Sequence, residues 1–258
     1  MLEAALIAGI CSTGSDVLTL GVIPTPAVAY LTQQYQASCG IVISASHNPV
    51  QDNGIKFFGP NGYKLPDEIE NEIEGLVLEG NPDLPRPRGE EVGRVYDVAE
   101  AQKRYLEFLT GCYGEKSDLS SYRIVLDCAN GAAYQTAPLM WEMLGAKIIP
   151  INNQPNGINI NDRCGSTYTE TLKIEVVRQK AHLGIAYDGD ADRCIAIDER
   201  GTELDGDHIM VICGLDMMRQ GRLKPARVAA TVMSNIGLDI ALKREGITVD
   251  SCAVGDRY

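Results

Sequence analysis

Apolar and polar positions change period several times along the chain, and each change marks an element. Residues 1–11 read as an apolar helix, 17–22 as a strand and 26–34 as a second helix. Ile41, Val42 and Ile43 then form a short β-branched run, the pattern of a buried strand, which Asn48-Pro49 ends by favouring a turn. Residues 55–58 and 63–65 flank Pro60-Asn61-Gly62 and predict a hairpin. A helix is expected over 66–78, after which the Pro- and Gly-rich stretch 80–93 breaks the periodicity. The helix near 98–109 is expected to open a second unit. Strands near 123–127, 147–151 and 183–187 alternate with helical segments, the pattern of a βαβ sheet, and 194–198 reads as a further strand directly after the last of them. Residues 205–218 begin a third unit, with its first strand expected at 228–232. The pattern predicts an α/β protein of serial domains, bounded at 1–98, 99–204 and 205–258.

Composition fits this reading without naming a function. At 258 residues and 45% hydrophobic content, the chain exceeds one typical domain and has enough apolar residues for several cores. Two nearly complete domains and part of a third are expected. A formal net charge of −12 argues against nucleic acid as a main partner, because phosphate backbones recruit basic surfaces. It also opposes anionic small molecules at long range, so Lys56, Arg193, Arg257 or a bound cation must offset it locally. The eight cysteines are scattered, form no C-x-x-C pair and in several cases lie in apolar runs. Reduced, buried thiols in a cytoplasmic setting are expected. The sequence contains no signal peptide and no apolar stretch of membrane-spanning length, so no membrane partner is expected.

Two segments carry candidate chemistry. Ser46 follows the 41–43 strand on backbone bent enough to expose its oxygen, with His47, Asn48 and Lys56 as the polar groups nearby in sequence. A serine hydroxyl is a weak nucleophile without such help. The bland reading is that Ser44 and Ser46 are turn residues bonding local backbone, and it is the better one for this segment alone. The second segment, Asp188-Gly189-Asp190-Ala191-Asp192-Arg193, connects two predicted strands. Alternate carboxylates on an extended loop point their oxygens to one side, forming a hard oxygen site suited to Mg²⁺. Without a cation they repel one another. A calcium loop is the main structural competitor, since Asp188, Asp190, Asp192 and Glu199 have its spacing. Its sixth position, however, needs Gly where Arg193 stands, and 194–197 read as a strand. An aspartyl-phosphatase site with Asp188 as nucleophile leaves Asp192 and the serine segment unexplained.

Other features reduce to structure. Gly9 and Gly14 have Walker spacing, but Ser15 stands where lysine is required. His182 and His208 lack paired ligands, and Trp141 reads as core. Residues 156–161 read as a loop whose asparagines satisfy its own backbone.

Ser44-Ala45-Ser46-His47-Asn48-Pro49 with Asn53-Gly54-Ile55-Lys56, together with the 188–193 segment, resemble the phosphoserine and metal-binding loops of the α-D-phosphohexomutases. The similarity runs over the whole chain. Residues 46–58, 231–235 and 254–258 bring it nearest the glucosamine-phosphate branch of that family. The resemblance implies mixed-sheet α/β domains and a phosphoryl group carried on Ser46, whose phosphate joins Asp188, Asp190 and Asp192 around Mg²⁺. It implies Lys56 as general acid/base, His47 as an aid in orienting the phosphate, and Arg193 as a support for the metal loop or phosphate. Glucosamine 6-phosphate and glucosamine 1-phosphate would interconvert through a hexosamine bisphosphate, serving amino-sugar nucleotide and cell-wall precursor synthesis. Arg257 is expected to grip a substrate phosphate, and Asp256-Arg257 stands where glucose- and mannose-specific relatives carry an aromatic-lysine pair. Family members have four α/β domains, so this chain reads as an internal portion lacking both ends, with little activity expected alone. A homodimer of the full-length parent is compatible with the resemblance. The rival readings are a phosphoglucomutase or phosphomannomutase, and a non-catalytic sugar-phosphate-binding fragment.

Overall fold

A computed structural model describes residues 1–80, 84–113 and 118–255. The first unit comprises α1 (Leu2–Ser12), β1 (Val17–Thr19), α2 (Thr25–Gln34), β2 (Gly40–Ser44), β3 (Gly54–Phe58), α3 (Asp67–Glu79) and β4 (Val95–Asp97). β2 and β3 pair antiparallel from Gly40 opposite Phe58 to Ser44 opposite Gly54, which suspends residues 45–53 as a loop at one end. α2 covers this pair, and Ala27, Val28 and Leu31 pack with Val42 and Phe58 into a buried cluster.

The expected hairpin around Pro60-Asn61-Gly62 forms only in part. The Gly59 N–H donates to the Tyr63 carbonyl at 2.8 Å, and a single bridge links Phe58 to Lys64. Pairing stops there because Pro66, at the N-cap of α3, has no N–H to donate and sets the chain into the helix. No element was expected between the break at 80–93 and the helix near 98. A strand forms there: β4 returns to pair parallel with β1, Val17 opposite Val95, within the expected span of the first unit. The helix α4 (Ala101–Tyr113), expected to open the second unit, bridges both: Ala101 and Tyr105 are buried in the first core, and the helix also lies against α5 (Ala133–Met143). Tyr30 of α2 stacks on Phe108 with ring centroids 4.1 Å apart.

The second unit is a mixed five-stranded sheet containing β5 (Arg123–Asp127), β6 (Lys147–Ile151), β7 (Leu183–Tyr187), β8 (Cys194–Asp198) and β9 (Glu203–Leu204), in the order β6-β5-β7-β8-β9. β6, β5 and β7 run parallel, while β8 and β9 are antiparallel additions. Side chains alternate across a strand, and β5 shows the consequence. Ile124 and Leu126 join Ala133 and Ala137 of α5 on one face, and Val125 joins Leu172 and Val176 of α6 (Glu170–Arg178) on the other. Leu172 is fully buried, so Leu172→Ala is expected to cost about 2–5 kcal/mol in unfolding free energy, read by denaturant titration.

The third unit contains α7 (Gly206–Arg219), β10 (Arg227–Thr231), α8 (Ile236–Arg244) and β11 (Thr248–Cys252). β10 and β11 pair parallel, and α8 packs Leu238 and Leu242 onto them with Ala230 and Ile247. The side chains of Asp205 and Asn235 cap α7 and α8.

All eight cysteines are free, but only Cys11, Cys128 and Cys164 are buried; Cys39, Cys112, Cys194 and Cys213 are exposed, which corrects the expected burial. Apolar neighbours in sequence do not decide which side of a helix or strand faces water. Burial pushes the Cys128 and Cys164 thiols up to about 12. Among the described residues, no helix is long and apolar enough to cross a membrane. Trp141 packs on the second-unit core and its indole N–H donates to Tyr187 Oη at 3.0 Å.

Candidate active site

Ser46 lies two residues beyond β2, in the left-handed region with φ +54°. This conformation is unfavourable for a residue with a Cβ, and such residues cluster where structure holds chemistry in place. Local bonds divide the roles of the two serines. Ser44 Oγ accepts the Ser46 N–H at 2.9 Å, making Ser44 the turn residue. Ser46 Oγ instead donates to Asp190 Oδ1 at 3.2 Å, across 144 positions of sequence.

The acidic segment follows β7 and is a tight turn, not the extended loop expected. The Ala191 N–H donates to the Asp188 carbonyl at 3.1 Å, and Ala191 has φ +57°. The turn still gathers the oxygens, because one ligand atom from each of Asp188, Asp190 and Asp192 lies within 4.8 Å of the others. Asp188 and Asp190 are each about 1% exposed. Burial, and next the hydrogen bond and charge of Asp190, push the Asp188 carboxyl up to about 7, against a bond from the Arg193 N–H at 3.1 Å. Asp188 Oδ2 is buried without a hydrogen-bond partner. A buried, orphaned carboxylate oxygen beside two more carboxylates fits a hard divalent cation, which takes oxygen ligands.

Lys56 reaches the same group from β3, its Nζ 2.5 Å from Asp190 Oδ2 and 3.6 Å from Asp192 Oδ2. Burial works to lower its pKa, but the bond and charge of Asp190, then Asp192, outweigh that and hold it above the ordinary lysine value. Asp190 is pulled the other way: burial raises it, while Lys56 and its remaining partners depress it further. His47 Nδ1 is buried without a partner. The Arg193 side chain is 56% exposed, with Nε 3.8 Å from Asp192 Oδ1, so its firmest contact with the turn is through its backbone. Arg257 and Asp256 lie outside the described residues.

Sequence reasoning missed three contributors. Thr25, buried at the start of α2, donates its N–H to the Asp190 carbonyl at 2.9 Å and its Oγ1 to Asp190 Oδ2 at 3.0 Å. Asn161 donates to carbonyls of the serine loop. Gly189 packs beneath that loop, where a Cβ would fall on the Ser46 carbonyl and 2.6 Å from Ile160 Cδ1. Only the prolines around Thr25 and the glycine between two aspartates hinted at any of these.

Residues 1–82, 103–201 and 205–258 match, in order, α/β/α domains I, II and III of the phosphoglucomutase/phosphomannomutase family. The chain belongs to that family. All 258 residues align at 70% identity with a phosphoglucosamine mutase of Syntrophomonas wolfei, covering 57% of that protein. They align at 56% identity with one from Desulforamulus reducens, covering 58% of it. The chain thus spans a little over half the length of these phosphohexomutases. A crystal structure of a phosphoglucomutase/phosphomannomutase family protein from Burkholderia thailandensis shares the fold, with a TM-score of 0.77 and 21% identity. That match covers 98% of this chain and 55% of the other.

Proposed function

We propose that the protein containing this chain is a phosphoglucosamine mutase, which interconverts glucosamine 6-phosphate and glucosamine 1-phosphate with Ser46 as phosphoryl carrier. The observation that carries the reading is the contact of Ser46 Oγ with Asp190 inside a carboxylate cluster that also holds Lys56. The 70% identity to a phosphoglucosamine mutase supports the choice of sugar.

In the forward half, the C1 hydroxyl oxygen of glucosamine 6-phosphate attacks the phosphorus on Ser46, and the bond from phosphorus to Oγ breaks. The sugar becomes a 1,6-bisphosphate. Ser46 Oγ then attacks the phosphorus at position 6, which restores phosphoserine and leaves glucosamine 1-phosphate. Lys56, charged in this arrangement, supplies a proton to the departing Ser46 oxygen and is recharged by the proton the C1 hydroxyl gives up; in the return half the Ser46 hydroxyl proton passes the same way to the departing sugar O6. His47 offers its unpartnered Nδ1 to the phosphate. Asp188, Asp190 and Asp192 would hold Mg²⁺ with a phosphate oxygen, which draws charge from the transferring group.

Competition among the 6-phosphates of glucosamine, glucose and mannose tests the substrate assignment. The kcat/KM for glucosamine 6-phosphate is expected to exceed the others by at least about tenfold. Equal or better use of mannose 6-phosphate overturns the choice of sugar and leaves Ser46 in its role.

The metal assignment has its own readout. Asp188→Asn replaces a carboxyl whose charged form burial and Asp190 disfavour, so the metal-free variant is expected to melt no lower than wild type. Wild type should gain about 2.7 kcal/mol when Mg²⁺ stands a hundredfold above its Kd, and the variant much less. Equal Mg²⁺ responses in calorimetry would remove Asp188 from the ligand set.

A further inference from the structure

We propose that Asn161 is a positioning residue that latches the serine loop of the first unit onto the metal turn of the second, an inference that rests on Ser46 being the phosphoryl carrier. The latch is rooted in the second-unit core. Asp127, fully buried at the end of β5, accepts the Ala129 N–H at 2.9 Å on Oδ1 and the Asn152 amide at 3.0 Å on Oδ2. These bonds hold Ala129 at φ +52°, and its carbonyl accepts the Asn161 N–H at 2.9 Å. Asn161 is itself left-handed, at φ +56°.

From that base the Asn161 side chain crosses between units. Its Nδ2 donates to the Ser46 carbonyl at 2.7 Å and to the Asn48 carbonyl at 2.9 Å. Both donors of one amide thus hold the two carbonyls flanking His47, and two acceptors fix which end of the amide is nitrogen. Apart from the Ser46 Oγ contact with Asp190, the bonds of the turn are internal, Ser46 N–H to Ser44 Oγ and Asn48 N–H to the Ala45 carbonyl. Internal bonds shape the turn but cannot orient it toward another unit. Asn161 does, and Gly189, 2.9 Å from Nδ2 at the position of a Cβ, lets the metal turn close beneath it.

The arrangement leaves Asn161 Oδ1 buried with no partner. A side chain chosen for stability alone in a loop would satisfy both ends of its amide, as Asn159 does by accepting the Asn156 N–H and donating to the Gln154 carbonyl. Asn161 departs from the self-satisfying pattern expected of its loop because its donors serve the neighbouring unit. With the serine loop held at two carbonyls, the left-handed Ser46 keeps its Oγ on Asp190.

The test uses the whole protein and two variants, Asn161→Asp and Asn161→Ala. The first is isosteric, replaces the donors by oxygen and sets a carboxylate against two carbonyls. Amide hydrogen exchange on metal-free, unphosphorylated protein is expected to quicken at least about tenfold at Ser46 and Asn48, with Val125 in β5 unchanged. Single-turnover transfer from phosphorylated Ser46 is expected to slow about ten- to a hundredfold, with the sugar KM within about twofold. Unchanged local exchange and transfer overturn the latch, and so does an equal rise at Val125, which marks a general loss of stability. If wild type carries no phosphate on Ser46, the carrier assignment fails, and the exchange measurement still decides whether the latch exists.

Discussion

Ser46→Ala is expected to lower mutase turnover by at least about a thousandfold and to remove the protein's phosphoserine, while Ser44→Ala leaves the phosphorylated residue unchanged. The asymmetry follows from the division of bonds. Ser44 Oγ is spent on the Ser46 N–H, whereas Ser46 Oγ faces Asp190 and, through it, Lys56. Alanine at 44 loses one turn bond, a cost of about 0.5–1.5 kcal/mol in stability, with Ser46 still present to react. Alanine at 46 leaves nothing to accept or return a phosphoryl group. Intact mass, peptide mapping and a coupled assay on protein from cells with a working amino-sugar pathway give the answer. Phosphate on Ser44 or Asp188 with Ser46 bare would end the assignment.

Gly189→Ala is expected to lower turnover about a hundredfold and to weaken Mg²⁺ binding without touching a reacting group. A Cβ there overlaps the Ser46 carbonyl and comes within 2.9 Å of Asn161 Nδ2, and the opposite side is closed as well. A Cβ on Gly131 would lie 2.6 Å from Gly189 Cα, and the Gly189 carbonyl accepts the Ala132 N–H at 2.7 Å. The 188–193 turn therefore has no direction in which to yield, and the serine loop must move instead. Overpacking of this kind costs about 1–3 kcal/mol in stability as well. Gly75→Ala is the control, since a Cβ on that residue of α3 meets nothing within 4 Å. Turnover equal to wild type in Gly189→Ala would show that the close approach of the two loops is not required.

Both predictions depend on contacts between segments far apart in the chain, and this is where sequence and structure divide. Four of the five strands of the second sheet, β5 to β8, stand where the periodicity places them; a run such as Ile124-Val125-Leu126 is buried on both faces and reads as strand from its own residues. The strand before Ser46 was equally plain. β4 was not legible: Val95, Tyr96 and Asp97 are exposed and become a strand by pairing with β1, a property of the partner. The hairpin at residue 60 forms only in part. Its turn chemistry was right and Lys64 does bridge to Phe58, but Pro66 at the start of α3 turns the chain into a helix before a ladder can extend.

The sequence by itself determined the chemistry at each loop: a serine after a buried strand, and three alternate carboxylates between two strands. It also carried the family, because both motifs are long and dense in residues that simple packing does not require. The family resemblance implied that the loops meet at Ser46, but the contacts that bring this about came from the folded chain: Ser44 Oγ taken up by the Ser46 N–H, Ser46 Oγ on Asp190, and Thr25 and Asn161 holding the two loops. The reason is physical. Backbone propensity and periodicity act over a few residues, whereas a hydrogen bond from Ser46 to Asp190 exists because two separately folded sheets dock, and no local pattern encodes the geometry of that docking.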